Sequence, residues 1–566
     1  GSGATCVKTR RSESTGSDQI VTTVTQVVRI DPNKAYFSDY WIDTEADHFF
    51  DTVLTANTSS GTVTRSYDLA LDDPITTDAT LSLSIKGLIY GVSQQPQTPD
   101  HWAQLKLNAH EVSTYAWDGR VPQPIAPVAV PATLLDQPIN QLILVADQGK
   151  VTAGIAEYKY NPDFLELSYP ATADAELDRI EILALQDAAV TTDATVQVTG
   201  FTTDQVRVYD VRRPEQPVQL LTTSATDRGD GTFMIGFWDA WPADDPAADD
   251  PAPAYWLSTL DQNAVLAPVA VEVDQPSHWR SPDHTADYIA IVHASLWDAI
   301  QPLLDRRAAD GLAIAKVNIQ DIYDEFNGGH LHQNAIRDFL SYAYSNWNGD
   351  GERPKYVLLV GDGTIDFKGT TSTTLKNLVP PFLINIDPWL VETAADNRFV
   401  TFDGPDDYMP EMIVSRIPAQ SPAEVTNYVD KVAAYEDPIA TPDGPWQNRV
   451  VYVADDEETG AGNFHLFSDD IQTNWLPPDY DTLSIYHNPN EIPAGVGLKE
   501  VADMKAAIKQ AFDGGSIYVQ WFGHASRIRW GNITGIWNHR DVPTLAPNST
   551  LPFVAAYSCW EGYFHN

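Results

Sequence analysis

Two apolar stretches decide the fold: SIYVQWFGHAS at residues 516–526 and PFVAAYSCWEG at residues 552–562. Near-continuous apolar runs of this length are typical of strands that are buried on both faces of a parallel sheet. The first run ends close to His524 and the second close to Cys559. Loops at the carboxyl ends of such strands carry functional side chains, because the sheet holds them in place. We therefore expect an imidazole and a thiol at two neighbouring strand ends.

A thiol beside an imidazole has the composition of a nucleophilic site. A thiol becomes a useful nucleophile when a neighbouring base takes its proton, and the histidine side chain, with a pKa near neutrality, is suited to that task. This interpretation makes Cys559 a nucleophile and His524 its base. The alternative for Cys559 is an inert buried thiol, which is common for this residue type.

Length, charge and cysteine content exclude several classes of protein. A chain of 566 residues is too long for one hydrophobic core, so several domains are expected. The net charge of −43 argues against nucleic acid as a partner and fits an extracellular protein. No apolar run is long enough for a membrane-spanning helix. The two cysteines, Cys6 and Cys559, exclude a disulfide framework unless they pair and mask the thiol.

The pattern of apolar residues changes along the chain. Short alternating runs separated by turn residues indicate a β-sandwich and a second β-rich domain, and strands alternate with amphipathic helices after Asp287. The predicted fold class is therefore multidomain, with an N-terminal all-β, sandwich-like region followed by an α/β domain that has a doubly wound parallel sheet. The predicted divisions are a polar lead at 1–42 that is flexible or strand-exchanged, a β-sandwich at 43–172, a β-rich domain at 173–280 and the α/β domain at 281–566.

One helix of the α/β region has a readable start. Ser421, Pro422 and Glu424 combine a capping hydroxyl, a proline at the first helical position and the reciprocal acid of a capping box. Apolar residues then recur at helical spacing, as at Val425 and Val429. The sequence therefore predicts a helix that begins at this point.

Several motifs in the second half resemble the gingipain-type cysteine peptidases, family C25, whose fold is similar to that of caspases. These motifs are LLVGD at 358–362, MPEMIVSRIPA at 409–419, the Gly-His pair at 523–524 and SCWEGYF at 558–564. The resemblance covers about residues 283–566. It implies a peptidase domain that needs no cofactor for catalysis and that acts on a protein or peptide substrate.

The resemblance also implies roles for individual residues. Cys559 matches the nucleophile, and His524 matches the general base that later protonates the leaving amine. The backbone N–H groups of Cys559 and Ala525 form the implied oxyanion hole. Ala525 departs from the family pattern, which usually has glycine there, and its methyl group restricts the backbone and narrows the cleft. Phe522 and Tyr557 precede the two catalytic positions and are expected to line the substrate pocket.

A third, acidic group is expected to orient the imidazole. The family places it after the strand that corresponds to residues 450–453, where this chain has four consecutive acids. Glu457 is favoured, with Asp455 as the second choice. The alternative is that these acids form a solvated loop.

A structural calcium ion is a further expectation, because gingipain-type domains bind this ion. The candidate ligands are hard oxygen donors around Gly404, namely Asp403, Asp406, Asp407 and Glu411. Their spacing does not match an EF-hand. The alternative is a plain acidic loop.

The sequence ends at Asn566, seven residues after Cys559. A strand that carries a nucleophile normally feeds a helix, and a bare edge strand exposes unpaired backbone groups. We therefore expect a product of proteolytic maturation or truncation, with a C-terminal fragment of the same precursor as a partner.

Three functions remain open at this point. The leading hypothesis is a secreted or cell-surface cysteine endopeptidase of a prokaryote, made as a precursor. The second is a non-catalytic binding or adhesion protein that keeps the peptidase fold. The third is a sortase-like transpeptidase, in which an amine replaces water as the acceptor of the acyl-enzyme.

Overall fold

The computed structural model describes the chain except for residues 1–7, 12–18, 38–47, 186–192, 215, 241–252, 261–275, 350, 370–374, 388–390, 405–406, 441–443, 457–461, 491–495, 532–534, 548–549 and 566. The chain forms two compact units, residues 1–274 and 275–566. Each unit has its own hydrophobic clusters.

Unit 1 is built from strands, which pair mainly in antiparallel fashion. Its strands are β1 (Lys8–Arg10), β2 (Ile20–Val21), β3 (Thr23–Ile30), β4 (Ala35–Tyr36), β5 (Phe49–Phe50), β6 (Leu54–Asn57), β7 (Thr62–Leu69), β8 (Ser82–Gly91), β9 (His101–Leu107), β10 (His110–Trp117), β11 (Pro122–Pro131), β12 (Asn140–Asp147), β13 (Glu157–Thr172), β14 (Arg179–Ile182), β15 (Ala184–Leu185), β16 (Asp193–Phe201), β17 (Val206–Asp210), β18 (Val218–Leu220), β19 (Thr223–Asp227), β20 (Phe233–Ala240) and β21 (Tyr255–Thr259).

One buried cluster runs through this unit. It includes Val24 of β3, Leu105 of β9, Tyr160 of β13, Val196 of β16 and Leu257 of β21. Residues on both sides of the predicted division at 172/173 therefore pack in one continuous core. The alternation of buried and half-buried residues along β9 shows the period of two that a sheet with one core face requires.

The flexible lead predicted for residues 1–42 is wrong for the segment that forms β2 and β3. Strand β3 pairs with β13 from Thr23 to Ile30, and Val24 is fully buried. Pairing satisfies the backbone donors and acceptors of a polar segment, so many Ser and Thr residues do not prevent order.

Unit 2 alternates strands and helices. Its elements are β22 (Tyr288–Val292), α1 (Gln301–Ala309), β23 (Ile314–Asn318), α2 (Ile319–Asn327), α3 (Gln333–Asn346), β24 (Tyr356–Val360), β25 (Leu383–Asp387), β26 (Val391–Ala394), β27 (Ile413–Ile417), α4 (Pro422–Ala440), β28 (Arg449–Ala454), α5 (Phe464–Asn474), β29 (Asp481–Tyr486), α6 (Val501–Asp513), β30 (Tyr518–Phe522), β31 (Ala525–Ser526), β32 (Arg529–Trp530), β33 (Trp537–Asn538) and β34 (Phe553–Tyr557).

The long parallel strands of unit 2 form two four-stranded sheets, where the sequence predicts one doubly wound sheet. The first sheet has the order β23-β22-β24-β27 and the second has the order β29-β28-β30-β34. In each sheet the first strand along the chain lies in the interior. The second strand pairs with it on one side, and the third strand pairs with it on the other side. A single sheet and two separate sheets produce the same alternation of strands and helices along the sequence. The two arrangements differ only in which distant strands pair with each other.

Both faces of the second sheet are covered. Val451 and Val453 of β28 belong to the cluster that contains Met504 and Ile508 of α6. The alternate residues of β28 face a second cluster that contains Phe464 of α5. Burial on both faces explains why β28 and β30 read as continuous apolar runs. The same burial predicted for the run at 552–557 is wrong, because β34 is the outer strand of the described sheet and its residues are half-buried or exposed. Among the described helices, none is both long and apolar enough to cross a bilayer.

Candidate functional site

Four titratable side chains follow the carboxyl ends of the four strands of the second sheet. In the parallel register, Ala454 of β28 lies opposite both Tyr486 of β29 and Phe522 of β30, and Phe522 lies opposite Tyr557 of β34. The residues that follow these ends are Asp455, His487, His524 and Cys559. They share one edge of the sheet, at the reversal of strand order between β28 and β30 where ligands bind in open α/β sheets.

Cys559 lies in a tight turn that begins directly after β34. Its thiol is free and the residue is exposed, whereas Cys6 lies outside the described residues. Trp560 has a φ of +63°, a left-handed conformation that is rare for a bulky residue. Ser558 Oγ donates a 2.6 Å hydrogen bond to Glu561 Oε1 across the same turn. Backbone strain of this kind is concentrated at functional sites, and strained turns also present nucleophiles at other strand ends.

The imidazole of His524 packs on the α5 face of the sheet. Its ring lies edge-on to Phe464, with 5.4 Å between the centroids, and Phe464 also contacts Phe522 at 6.1 Å. Phe522 in turn stacks on Tyr557 at 5.7 Å. The two predicted pocket residues therefore lie side by side, and Tyr557 is 54% exposed.

Asp455 joins two strand ends. Its backbone N–H donates to the carbonyl of Phe522 at 3.0 Å, and its Oδ2 accepts from the backbone N–H of His524 at 3.3 Å. Burial raises the pKa of Asp455, but nearby His487 and the backbone donors outweigh burial and hold the pKa below its usual range. The side chain is therefore a buried carboxylate that positions the His524 segment.

Gly523 allows this close approach. A methyl group at this position would lie 2.5 Å from Cβ of Asp455 and 2.7 Å from the ring of Trp521. Trp521 is fully buried and stacked on Trp530, so it has little freedom to move. A glycine is therefore required between β30 and His524 on steric grounds.

His487 completes the edge and was missed by the sequence reasoning. It lies 3.8 Å from Asp455 Oδ1 and 3.7 Å from Asp456 Oδ1, measured from its Nδ1. Asp455 and Asp456 raise the pKa of His487 by stabilising its charged form. The signal that would have found it is the one used for His524, a histidine directly after an apolar strand end.

The remaining predicted site residues have varied positions. Ala525 lies in the short strand β31, where its φ is not in the left-handed region that would demand glycine. Glu457, the favoured third catalytic residue, lies outside the described residues, and so does Asp406.

The described part of the 403–411 loop uses its acids for local hydrogen bonds. Asp407 accepts from the backbone N–H groups of Asp403 and Met409, and Glu411 accepts from that of Phe402. Across the described residues, only Asp455, Asp456 and His487 bring three possible metal ligands within 4.8 Å of one another. The described acids of this loop therefore do not fit a calcium site by themselves, and calcium there stays a prediction.

Unit 1 contains a second arrangement of catalytic residue types. His101 Nδ1 lies 2.6 Å from Asp100 Oδ1, and its Nε2 lies 3.1 Å from Ser93 Oγ. However, Nε2 also lies 2.9 Å from the carbonyl oxygen of Lys159, which can only accept a hydrogen bond. The carbonyl oxygen therefore competes with Ser93 for Nε2, and His101 and Asp100 are both fully buried, so we interpret this set as structural.

Comparison with known proteins identifies the family of the second half. The model of peptidase family C25 matches residues 281–566, half of the chain. The chain belongs to peptidase family C25. The resemblance inferred from its motifs is thereby confirmed.

The C25 relatives are distant. Gingipain R2 of Porphyromonas gingivalis (strain ATCC BAA-308 / W83) is 24% identical over 280 residues, which are 49% of this chain and 32% of that protein. Lys-gingipain W83 of the same species is 26% identical over 168 residues, which are 29% of this chain and 8% of that protein. The chain thus spans less than a third of the length of these curated relatives.

A solved structure shares the fold over much of the chain. Dimeric latent PorU from Porphyromonas gingivalis superposes with a TM-score of 0.53 at 16% identity. The match covers 76% of this chain and 40% of PorU. It therefore extends beyond the C25 region into the strand-rich unit.

Proposed function

We propose that this C25 chain is a cysteine endopeptidase in which Cys559 attacks the peptide carbonyl. His524 takes the thiol proton and delivers it to the leaving amine, and water then releases the acyl group from the sulfur. The supporting observation is the pairing of β30 with β34, in which Phe522 lies opposite Tyr557. His524 and Cys559 each follow two residues later, so the base and the nucleophile leave adjacent strands at the same level.

Asp455 is the third member of this proposed site. It is a buried carboxylate bonded to the backbone of His524, so it acts by positioning the base and by stabilising the imidazolium that forms. Glu457 stays a prediction for the same role. The proposed oxyanion hole uses the N–H groups of Cys559 and Ala525, since the methyl group of Ala525 does not remove its backbone N–H donor.

The proposed substrate is an extended segment of protein. Phe522 and Tyr557 form an aromatic wall beside the thiol. Within the described part of the sheet β34 is the outer strand, and Phe553 and Val554 on it are 59% and 42% exposed. An open strand edge with apolar side chains fits pairing with another extended segment, either substrate or the C-terminal fragment predicted from the sequence.

We also propose that the protein acts outside a prokaryotic cell and is made as a precursor. Its strongly acidic composition fits an extracellular protein. Mass analysis of the protein recovered from culture medium tests both points. Recovery only from the cell interior, as an unprocessed chain, would contradict them.

Active-site labelling tests the peptidase proposal. A biotinylated peptide acyloxymethyl ketone should modify the folded protein, and Cys559→Ala and His524→Ala should each abolish the modification. Cys6→Ala is the matched control and should be labelled at the unchanged rate. A folded protein whose labelling survives Cys559→Ala, or which is never labelled, would instead support the non-catalytic binding function.

The acceptor of the acyl group separates a peptidase from a transpeptidase. The exposed position of Cys559 leaves the acyl-enzyme accessible to either water or an amine. Adding a peptide amine to a cleavage reaction should leave hydrolysed product as the main species. Predominant ligated product would identify a sortase-like transpeptidase.

A further inference from the structure

Three titratable side chains lie together beside the proposed catalytic pair. One ligand atom each from Asp455, Asp456 and His487 lies within 4.8 Å of the other two. The Nδ1 atom of His487 is 3.8 Å from Asp455 Oδ1 and 3.7 Å from Asp456 Oδ1. These separations allow ion pairs with a charged imidazole but are too long for hydrogen bonds. The proposed catalytic roles do not explain why a histidine faces two carboxylates at this distance.

The burial of the His487 side chain also points to a bound ligand. Its side chain is only 3% exposed, and its Nδ1 makes no hydrogen bond to any described residue. Buried nitrogen atoms normally have a hydrogen-bond partner, since burial without one costs about 1–3 kcal/mol. The backbone fixes the residue, because its N–H donates to the carbonyl of Ala454 at 2.9 Å. The nitrogen is therefore held in place and aimed at two carboxylates.

We propose that Asp455, Asp456 and His487 bind a divalent transition-metal cation of the zinc type. Zinc takes imidazole nitrogen and carboxylate oxygen at about 2.0–2.2 Å, so tetrahedral ligand atoms lie roughly 3.4 Å apart. The observed 3.7 Å and 3.8 Å are close to that separation. Calcium is disfavoured, because it takes about six to eight oxygen ligands. The side chain of Asp456 is 38% exposed, which provides an entry path and room for water as a further ligand.

The proposed cation site shares a carboxylate with the proposed catalytic site. The Oδ1 atom of Asp455 faces His487, while its Oδ2 accepts from the backbone N–H of His524. A cation bound at Oδ1 would therefore act on the group that positions the base. The site is placed to regulate the thiol centre, but its existence does not depend on peptidase activity.

Zinc binding by the intact chain tests the proposal. Zn²⁺ is titrated by calorimetry into untagged Cys559→Ala protein, since the thiol is itself a zinc ligand. We expect one saturable site and an increase in Tm with zinc. His487→Gln and Asp456→Asn should each weaken binding by at least about tenfold, because losing even an outer partner of a metal ligand costs about 10–100-fold. His539→Gln, which replaces an exposed histidine, is the matched control and should bind zinc as its parent does.

Three outcomes would overturn the proposal: no saturable zinc site in the parent protein, zinc affinity in both site variants equal to that of the parent, or tighter binding of Ca²⁺ than of Zn²⁺ at this site. The Tm of each variant without metal identifies a folding defect, and Asp456→Asn, at a partly exposed position, decides the matter if His487→Gln unfolds. Thiol labelling of protein with Cys559 intact is measured separately. Failure of the peptidase proposal and failure of the metal proposal are therefore distinguishable.

Discussion

Gly523 is the residue on which the geometry of the site depends most directly. The chain passes between Asp455 and Trp521 at a distance that leaves no space for a methyl group. Because both neighbours are buried and fixed by other contacts, added volume must displace the strand end that carries His524.

Gly523→Ala should destabilise the protein and slow thiol labelling. Overpacking a buried contact costs about 1–3 kcal/mol, and the displacement of Asp455 disturbs the proposed base. Urea unfolding and labelling rates measure the two effects. Gly149→Ala is the control, because its methyl would meet only Asp147 Oδ1 at 3.3 Å. Equal stability of the two variants would show that the contact is not tight.

Asp455→Asn tests the role of the buried carboxylate. The substitution keeps the shape of the side chain but removes the charge that we propose stabilises an imidazolium at His524. We expect the labelling rate of Cys559 to fall by at least about tenfold with the fold retained. Asp503→Asn, at an exposed position on α6, should have no effect. An unchanged rate in Asp455→Asn would shift the third role to Glu457.

At the scale of single elements, local sequence signals are reliable where the contact partners are near in sequence. Glu424 Oε2 accepts from the backbone N–H of Ser421 at 3.1 Å, and the N–H of Glu424 donates back to Ser421 Oγ at 3.4 Å. The capping box predicted from the sequence is therefore confirmed at the start of α4. Its partners are only three residues apart, so the motif carries its own geometry.

Glu424→Ala should lower the free energy of unfolding by about 0.5–2 kcal/mol, the usual cost of losing a cap. The backbone N–H groups of Gln420 and Ser421 would both lose their acceptor. Chemical denaturation measures the change. Asp430→Ala replaces an exposed acid farther along the same helix and should change stability less. Equal losses in the two variants would mean that helix charge, rather than capping, is responsible.

At the scale of the whole molecule, the segment after Cys559 links the two sheets of unit 2. The carbonyl oxygen of His565 accepts from the backbone N–H of Ile365, in the loop after β24. Phe564 lies under the guanidinium of Arg416 at the end of β27, 4.6 Å from the ring centroid. Residues near the thiol therefore rest on the edge of the first sheet.

His565 makes this link sensitive to pH. Burial is the main cause that lowers the pKa of its imidazole from the ordinary 6.5 to about 4, with Arg527 and Arg416 adding to it and Asp396 opposing it. Between those pH values the unfolded chain binds a proton that the native state excludes. The contribution of the neutral His565 imidazole to the free energy of unfolding is therefore complete above about pH 6.5 and is lost as the pH falls toward 4.

The free energy of unfolding should fall by up to about 3 kcal/mol between about pH 6.5 and pH 4, since one unit of pKa corresponds to about 1.36 kcal/mol. Urea unfolding of unit 2 in the whole chain, followed at several pH values, measures it. His565→Gln removes the titrating group and should show a flatter pH dependence than the native chain. Parallel profiles for the two proteins would exclude this histidine as the cause.

How much of the fold and of the site could be predicted depends on how far apart in sequence the interacting residues lie. The apolar runs around Val519 and Val554 predicted parallel strands, and the residues at their ends were correctly placed at one edge of a sheet. The order within β3 was not predictable from its polar composition, because its pairing partner β13 lies far along the chain. His487 carries the same local signal as His524, but its contact with Asp455 was not predictable, since that contact arises only from the pairing of β28 with β29.

Local sequence was sufficient to predict that strands alternate with helices in unit 2, how α4 begins, that the chain resembles C25 proteins, and which thiol and imidazole follow two of the strands. These properties depend on periodicity and motifs within short windows. The tertiary structure alone decided that the parallel strands form two sheets, that Asp455 holds the His524 segment, and that His487 faces two carboxylates. Those features depend on hydrogen-bonded pairing between strands that are distant in sequence, which no local pattern specifies.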